Sequence, residues 1–360
     1  MNRAILLDLA EGGLRMPIGT DLVLREKSDV PAILLNGKKL GEIALEAARR
    51  YHTPLAIPIM DLLLEKSLLL HMMGIKEPAD TFQFTEIPAD DALNCFGSSR
   101  KKPLPKRMKA SVDAVREVAH AGKPYIPIGM SIGPLSLTIR LLADPITPIY
   151  MAGSGISGVD EPEVKLVETL LELSTKTVLR SIEAQLKAGA TAIFLCEPAA
   201  NKAYFSPKQI DSGSDVWERF VMAPNRRVAE LIQSHNADLL FHCCGELTDP
   251  MVHSFGTLEP ALLSLGSSRN LAEDAMLIPT STVIYGNLPS KKFFSDEAIS
   301  TDQVAATASD LIMQMKHVHH PFILGTECDV LSVPGYHDTI VKKVETMLTC
   351  CPEATSLLVS

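Results

Sequence analysis

The sequence predicts an α/β fold, a (β/α)8 TIM barrel with an N-terminal extension (residues 1–50) and a long insertion (74–110) after its first strand. Three features carry that expectation. Short apolar, β-branched runs alternate with longer helix-patterned stretches, which implies a parallel sheet covered by helices. Seven such units fill the chain, which suits a barrel better than an open doubly wound sheet. The G-x-G-x-x-G match at Gly153-Ser154-Gly155-Ile156-Ser157-Gly158 follows no strand of the kind a dinucleotide fingerprint needs, so it reads as a mobile loop.

The strands follow in order. They are Pro54–Asp61, Tyr125–Ser131, Ala192–Pro198, Asp238–Cys244, Ala261–Ser267, Thr282–Leu288 and Phe322–Cys328. An eighth strand is not evident. Between them, Glu163–Lys187 is rich in Leu, Val, Glu and Lys at helical spacing and stops at Gly189. Pro224 opens the helix Asn225–Ser234. After the first strand a helix runs from Leu62 to about Met73, and a polar, proline-punctuated stretch then extends from Glu77 to Lys106. That stretch is too long for a simple barrel connection and is expected to form a flap over one end. No repeat, low-complexity tail or linker marks a second domain, so one barrel domain is expected to span residues 1–360.

Composition narrows the partners. With 34 Lys and Arg against 43 Asp and Glu, the net charge is −9, which argues against a basic nucleic-acid footprint. The one basic knot, Arg100-Lys101-Lys102 with Lys106-Arg107, is broken by prolines and reads as a solvated connection. No apolar run approaches the about 20 residues that span a bilayer. The opening residues turn acidic at Asp8, before an apolar signal segment can develop. Seven cysteines, an odd number, fit a reducing compartment better than a disulfide framework. A cytoplasmic location without nucleic-acid or membrane partners is the expectation.

The sharpest chemical feature is Phe241-His242-Cys243-Cys244-Gly245 at the end of the fourth strand. On an extended chain, residues two apart share a face, so His242 and Cys244 point together and Cys243 points toward the helices. Gly245 lets the chain turn away at the C-terminal mouth, where barrel active sites sit. Cys328, closing the seventh strand, should reach the same mouth. Three N/S ligands with one open position make the pattern of a catalytic zinc centre, so His242, Cys244 and Cys328 are the predicted Zn2+ ligands. Cys95, Cys196, Cys350 and Cys351 read instead as ordinary thiols, and His317, His319 and His320 as a solvated turn at the opposite end. Two carboxylates end apolar runs, Asp61 and Glu197, and burying either without a partner is costly. Each fits a helix cap or ion pair as well as it fits a site.

These segments together resemble a known family. Thr53-Pro54-Leu55-Ala56-Ile57-Pro58-Ile59-Met60-Asp61, Gly129-Met130-Ser131-Ile132-Gly133-Pro134, Glu197-Pro198-Ala199-Ala200, His242-Cys243-Cys244-Gly245, Tyr285-Gly286-Asn287-Leu288 and Gly325-Thr326-Glu327-Cys328 carry the resemblance. It is to the uroporphyrinogen decarboxylase-like superfamily, in its cobalamin-dependent (methylcobalamin:coenzyme M-type) methyltransferase branch. The resemblance implies a TIM barrel and the same zinc triad. It also implies methyl transfer between a corrinoid and a thiol or other small acceptor. Asp61 looks like the aspartate that decarboxylases set against pyrrole nitrogens, and the resemblance implies substrate contacts at Asp61, Met130 and Asn287. Glu197 and Asp61 are its implied catalytic carboxylates, Glu197 as a fourth zinc ligand displaced by substrate or as a proton acceptor.

Departures matter too. The arginine-rich N-terminal motif of the decarboxylases is not apparent: Met16-Pro17-Ile18-Gly19-Thr20-Asp21 has only Arg15 and Arg25 nearby. Tetrapyrrole decarboxylation and a non-catalytic tetrapyrrole- or corrinoid-binding barrel are therefore the alternatives. No D-x-H-x-x-G corrinoid segment is present, so methylcobalamin would come in trans, free or on a corrinoid protein, with Glu77–Lys106 as a candidate docking surface.

Overall fold

In the computed structural model, residues 3–99 and 102–350 are described. Arg100 and Lys101 of the basic knot, and Cys351, lie outside them. Seven parallel strands form one sheet in sequential order: β1 (Leu55–Ala56), β2 (Ile126–Ile132), β3 (Ala192–Cys196), β4 (Asp238–Cys243), β5 (Leu262–Leu265), β6 (Val283–Leu288) and β7 (Phe322–Thr326). Each falls inside its expected run except β2, which continues one residue further, to Ile132. The strands are apolar on both faces because helices cover one face and the barrel interior the other.

Alternation sorts the side chains. Ile128 and Met130 of β2, Phe194 and Cys196 of β3, Leu240 of β4, Leu262 of β5, Val283 and Tyr285 of β6, and Ile323 of β7 form one interior cluster. Their neighbours Ile193, Leu195, Leu239, Phe241, Cys243, Leu263 and Ile284 pack outward against the helices. Parity therefore turns His242 inward with Leu240, and Ser264 inward with Leu262. Gly325 of β7 must lack a side chain, because a Cβ there would run into the Tyr285 ring.

The missing stave comes from the N-terminus. Arg15 bridges Leu324 and Ile18 bridges Asp329, both parallel, with Met16 N donating to Leu324 O (3.0 Å) and Val330 N to Ile18 O (2.7 Å). On the other side, Thr20 Oγ1 donates to Ile57 O (2.6 Å). Met16 and Ile18 join Leu55 and Ile57 in the interior cluster. The residues expected as an extension thus supply the segment between β7 and β1. Its four residues include Pro17, which has no N–H for a ladder, so no strand signal was visible. The helix Gly37–Arg50 then packs Leu40, Ile43 and Ala47 against Ala110 and Ala114 of the helix Lys106–Ala121.

The insertion holds a helix, Asp90–Ser98, and Phe84 pairs with the backbone around Leu142 (Phe84 N to Leu141 O, 2.7 Å). The long helix runs Pro162–Lys187, one residue earlier than expected, with Pro162 in its first turn, where the ring costs no hydrogen bond. The helix expected from Asn225 starts at Ala223, after a π turn at Glu218–Met222. His320 departs from its solvated reading: it is buried, and its Nε2 lies 2.9 Å from Thr282 O. Among the described residues no helix is long and apolar enough to cross a membrane.

β1 is only two residues long because Pro58 follows it closely, and the upper half of β2 is left without a strand on that side. Gln185 substitutes for one, its Oε1 accepting from Met130 N (2.8 Å) and its Nε2 donating to Met130 O (2.9 Å). Beside it Glu65, 1% exposed, accepts from Ser131 Oγ (2.9 Å) and Ser181 Oγ (2.7 Å). Burial lifts the Glu65 carboxyl to about 7 despite these two hydrogen bonds. A carboxyl that binds its proton more tightly folded than unfolded adds stability below the unfolded value. That stability is lost as pH rises through the folded one. Between roughly pH 5 and pH 8, wild type should lose up to about 3 kcal/mol that Glu65→Gln keeps. Urea unfolding at both pH values measures this, and equal slopes in the two proteins would show Glu65 to be indifferent to its site.

Candidate metal centre

The mouth of the barrel is assembled from the ends of four strands. β4 delivers His242, and Cys244 follows one residue past its end. Cys328 follows β7 by two residues. The ligand-type atoms of His242, Cys244 and Cys328 all lie within 4.8 Å of one another. Among the described residues this is the only such group of His, Cys, Asp or Glu that could hold a metal ion. Gly266, after β5, lets that loop pass directly against Cys244: a Cβ would sit 2.8 Å from the Cys244 carbonyl oxygen.

His242 is 1% exposed and its ring is held on two sides. Nδ1 lies 2.8 Å from Ser264 Oγ, and the Phe194 ring packs 5.7 Å away, centroid to centroid. Its Nε2 is buried with no hydrogen-bond partner. A buried ring nitrogen without a partner costs free energy unless something ligates it. An imidazole nitrogen and two thiol sulfurs form a donor set suited to zinc. The residues present therefore fit the metal predicted for them.

The electrostatics favour one thiolate even without a metal. A hydrogen bond donated by Cys328 outweighs desolvation and, with His242, holds the Cys244 thiol well below the usual thiol range. Cys328, sharing its proton with that thiolate and buried beside it, is pushed well up. Lys291, in the turn after β6, sits close by: burial works against its charge, but Cys244, Glu327 and Cys328 hold its ammonium above the usual range. Glu327 joins the loops, accepting from Ser267 Oγ (2.6 Å) and Lys291 N (3.4 Å) and facing Lys291 Nζ at 3.8 Å.

The other expected site residues go elsewhere. Glu197 is fully buried but faces away from the cysteines. Its Oε1 accepts from Ser136 N (2.6 Å), and its Oε2 from Leu135 N and Asn225 Nδ2 (3.2 Å each). It thereby satisfies orphan donors at the start of the helix Pro134–Leu141. The expected fourth-ligand or proton-acceptor position of Glu197 is thus not what the geometry provides. Burial raises its carboxyl in spite of these donors. Asp61 pairs with Arg107 (3.0 Å), which fits its ion-pair reading, and accepts from Leu63 N (3.2 Å) in the turn before the helix Leu64–Met73; the N-cap of that helix is Leu63, so Asp61 is not its cap. Asn287 spends its amide on Gly266 O and Arg269 O (2.9 Å each), pinning the loop after β5. Met130 points into the packed barrel interior. Cys243 faces the helices, as its parity required, and donates to Ala200 O (3.4 Å).

Ser264, Lys291 and Glu327 were not picked out from sequence. For Ser264 a signal existed: it is the single polar residue within Leu262–Leu265. Lys291 and Glu327 carry no pattern that separates them from surface charges.

The comparisons agree with this architecture. No curated protein sequence matches the chain. A solved structure, a methyltransferase from Methanosarcina mazei, shares the fold at TM-score 0.67 and 16% identity, over 95% of this chain and 96% of that one. A tryptophan synthase from M. tuberculosis aligns at TM-score 0.23 and 11% identity, over 66% and 97%, too distantly to carry an argument. The uroporphyrinogen decarboxylase (URO-D) family model matches residues 18–353, nearly the whole ring of strands and both arms of the cysteine–histidine cluster. By that match the chain belongs to the uroporphyrinogen decarboxylase family.

Proposed function

We propose that the protein is a zinc-dependent methyltransferase moving a methyl group between a corrinoid, supplied in trans, and a thiol or other small acceptor. One observation carries the reading: a buried imidazole nitrogen with no partner faces two cysteine sulfurs at the barrel mouth. A decarboxylase acting on a tetrapyrrole has no use for such a donor set. The fold shared with the methyltransferase from Methanosarcina mazei supports the same direction.

When bound, zinc would act as a Lewis acid that keeps an acceptor thiol ionised at neutral pH. His242, Cys244 and Cys328 would hold it. Two cysteine thiolates cancel the charge of a dication, and Lys291 leaves the mouth able to receive a further anion. Burial of His242 and the packed interior beneath it keep bulk water from below the cluster, which favours transfer to a bound acceptor over hydrolysis.

The test incubates the protein with methylcobalamin and a panel of thiols, following cleavage of the cobalt–carbon bond spectrally and thioether formation by mass spectrometry. Turnover that disappears in His242→Ala is the expected result. Carbon dioxide release from uroporphyrinogen, with no methyl transfer to any acceptor, would replace this reading with decarboxylation.

A further inference from the structure

We infer that Ser264 is a positioning residue for the candidate metal centre, holding the His242 ring so that Nε2 faces the cysteines while Nδ1–H is satisfied behind it. The inference rests on the metal reading above and extends it to a residue outside the donor set. β4 and β5 run in register with His242 opposite Ser264, so the two inward side chains are nearest neighbours on the barrel wall. Ser264 is 0% exposed and His242 1%, so bulk solvent reaches neither and the partner of each must come from inside the barrel wall. The 2.8 Å contact to Nδ1 uses the hydroxyl, and the remaining flank of the ring is covered by Phe194.

Coordination through Nε2 requires its lone pair, which places the ring proton on Nδ1. That N–H then needs an acceptor in a dry wall, and the Ser264 hydroxyl is the group beside it. Without the hydroxyl, Nδ1–H is buried unpaired in the metal-loaded protein, and the ring is free to turn its lone pair away from the cysteines. Partners of this kind commonly change metal affinity by about 10- to 100-fold.

Thr and Val have the same shape, so Ser264→Thr against Ser264→Val isolates the hydroxyl from any packing effect of the added methyl groups. Zinc affinity is measured by competition with a chromophoric chelator, a readout independent of turnover. The expected result is affinity near wild type for Ser264→Thr and about 10- to 100-fold weaker for Ser264→Val, with the two melting at similar temperatures. Nitrogen chemical shifts of His242 in the zinc-loaded proteins should show a protonated Nδ1 hydrogen-bonded in wild type and Ser264→Thr, and not in Ser264→Val. Equal affinities of Thr and Val variants overturn the positioning role while leaving the metal centre standing. A wild type that binds no zinc removes both, and zinc binding without methyl transfer removes only the proposed reaction.

Discussion

His242→Ala and Cys328→Ser should each strip the protein of zinc, where wild type purified under reducing conditions carries about one ion per chain. The three donor atoms gather within 4.8 Å from two strand ends separated by the barrel mouth, so no two of them make a closed site alone. Removing one leaves two donors and water, a set that competes poorly with cellular chelators. Cys243→Ala provides the internal control. Its side chain lies one residue away from both His242 and Cys244 but faces the helices, so that variant should keep its metal and lose only some stability. Elemental analysis of the three variants decides the matter. Zinc stoichiometry unchanged in Cys328→Ser would break the assignment of the triad.

Glu197→Ala should unfold far more easily than wild type while leaving zinc content intact. The carboxylate collects two backbone N–H groups at a helix start and the Asn225 amide, all buried. Deleting it orphans these donors, at a cost of about 3–5 kcal/mol. Glu197→Gln retains the shape and one acceptor oxygen and should lie between the two. Denaturant midpoints and zinc content, measured on the same samples, separate a structural glutamate from a ligand. If Glu197→Gln loses metal or methyl transfer at unchanged stability, the carboxylate belongs to the site after all.

The contrast between His242 and Glu197 shows what a strand pattern can and cannot say. Both end apolar runs, and both look equally eligible on paper. Alternation placed Cys196 in the interior beside Phe194, and the same alternation turns Glu197 outward, so that signal was available. What alternation could not supply was the partner: the donors at residues 135, 136 and 225 come from two other units of the chain. Asn287 makes the same point from the opposite side, since its parity is inward but its amide is taken by carbonyls of a neighbouring loop.

The sequence by itself determined seven strand–helix units, their order, and the shared inward face of His242 and Cys244. These follow from periodicities of two and about 3.6 residues, which are local properties of an extended or helical backbone. Only the tertiary structure decided that residues 15–18 complete the ring between β7 and β1. Their pairing partners lie more than 300 residues away, and a four-residue segment containing proline has no periodicity to read. Strand order already put Cys328 at the same mouth as Cys244, but how near the two come, the Ser264 contact behind His242, and the Lys291–Glu327 pair at the mouth were decided by the tertiary structure. Barrel closure brings strand ends together that are distant in the chain, and distances across a mouth are set by how the whole ring packs, which no local pattern encodes.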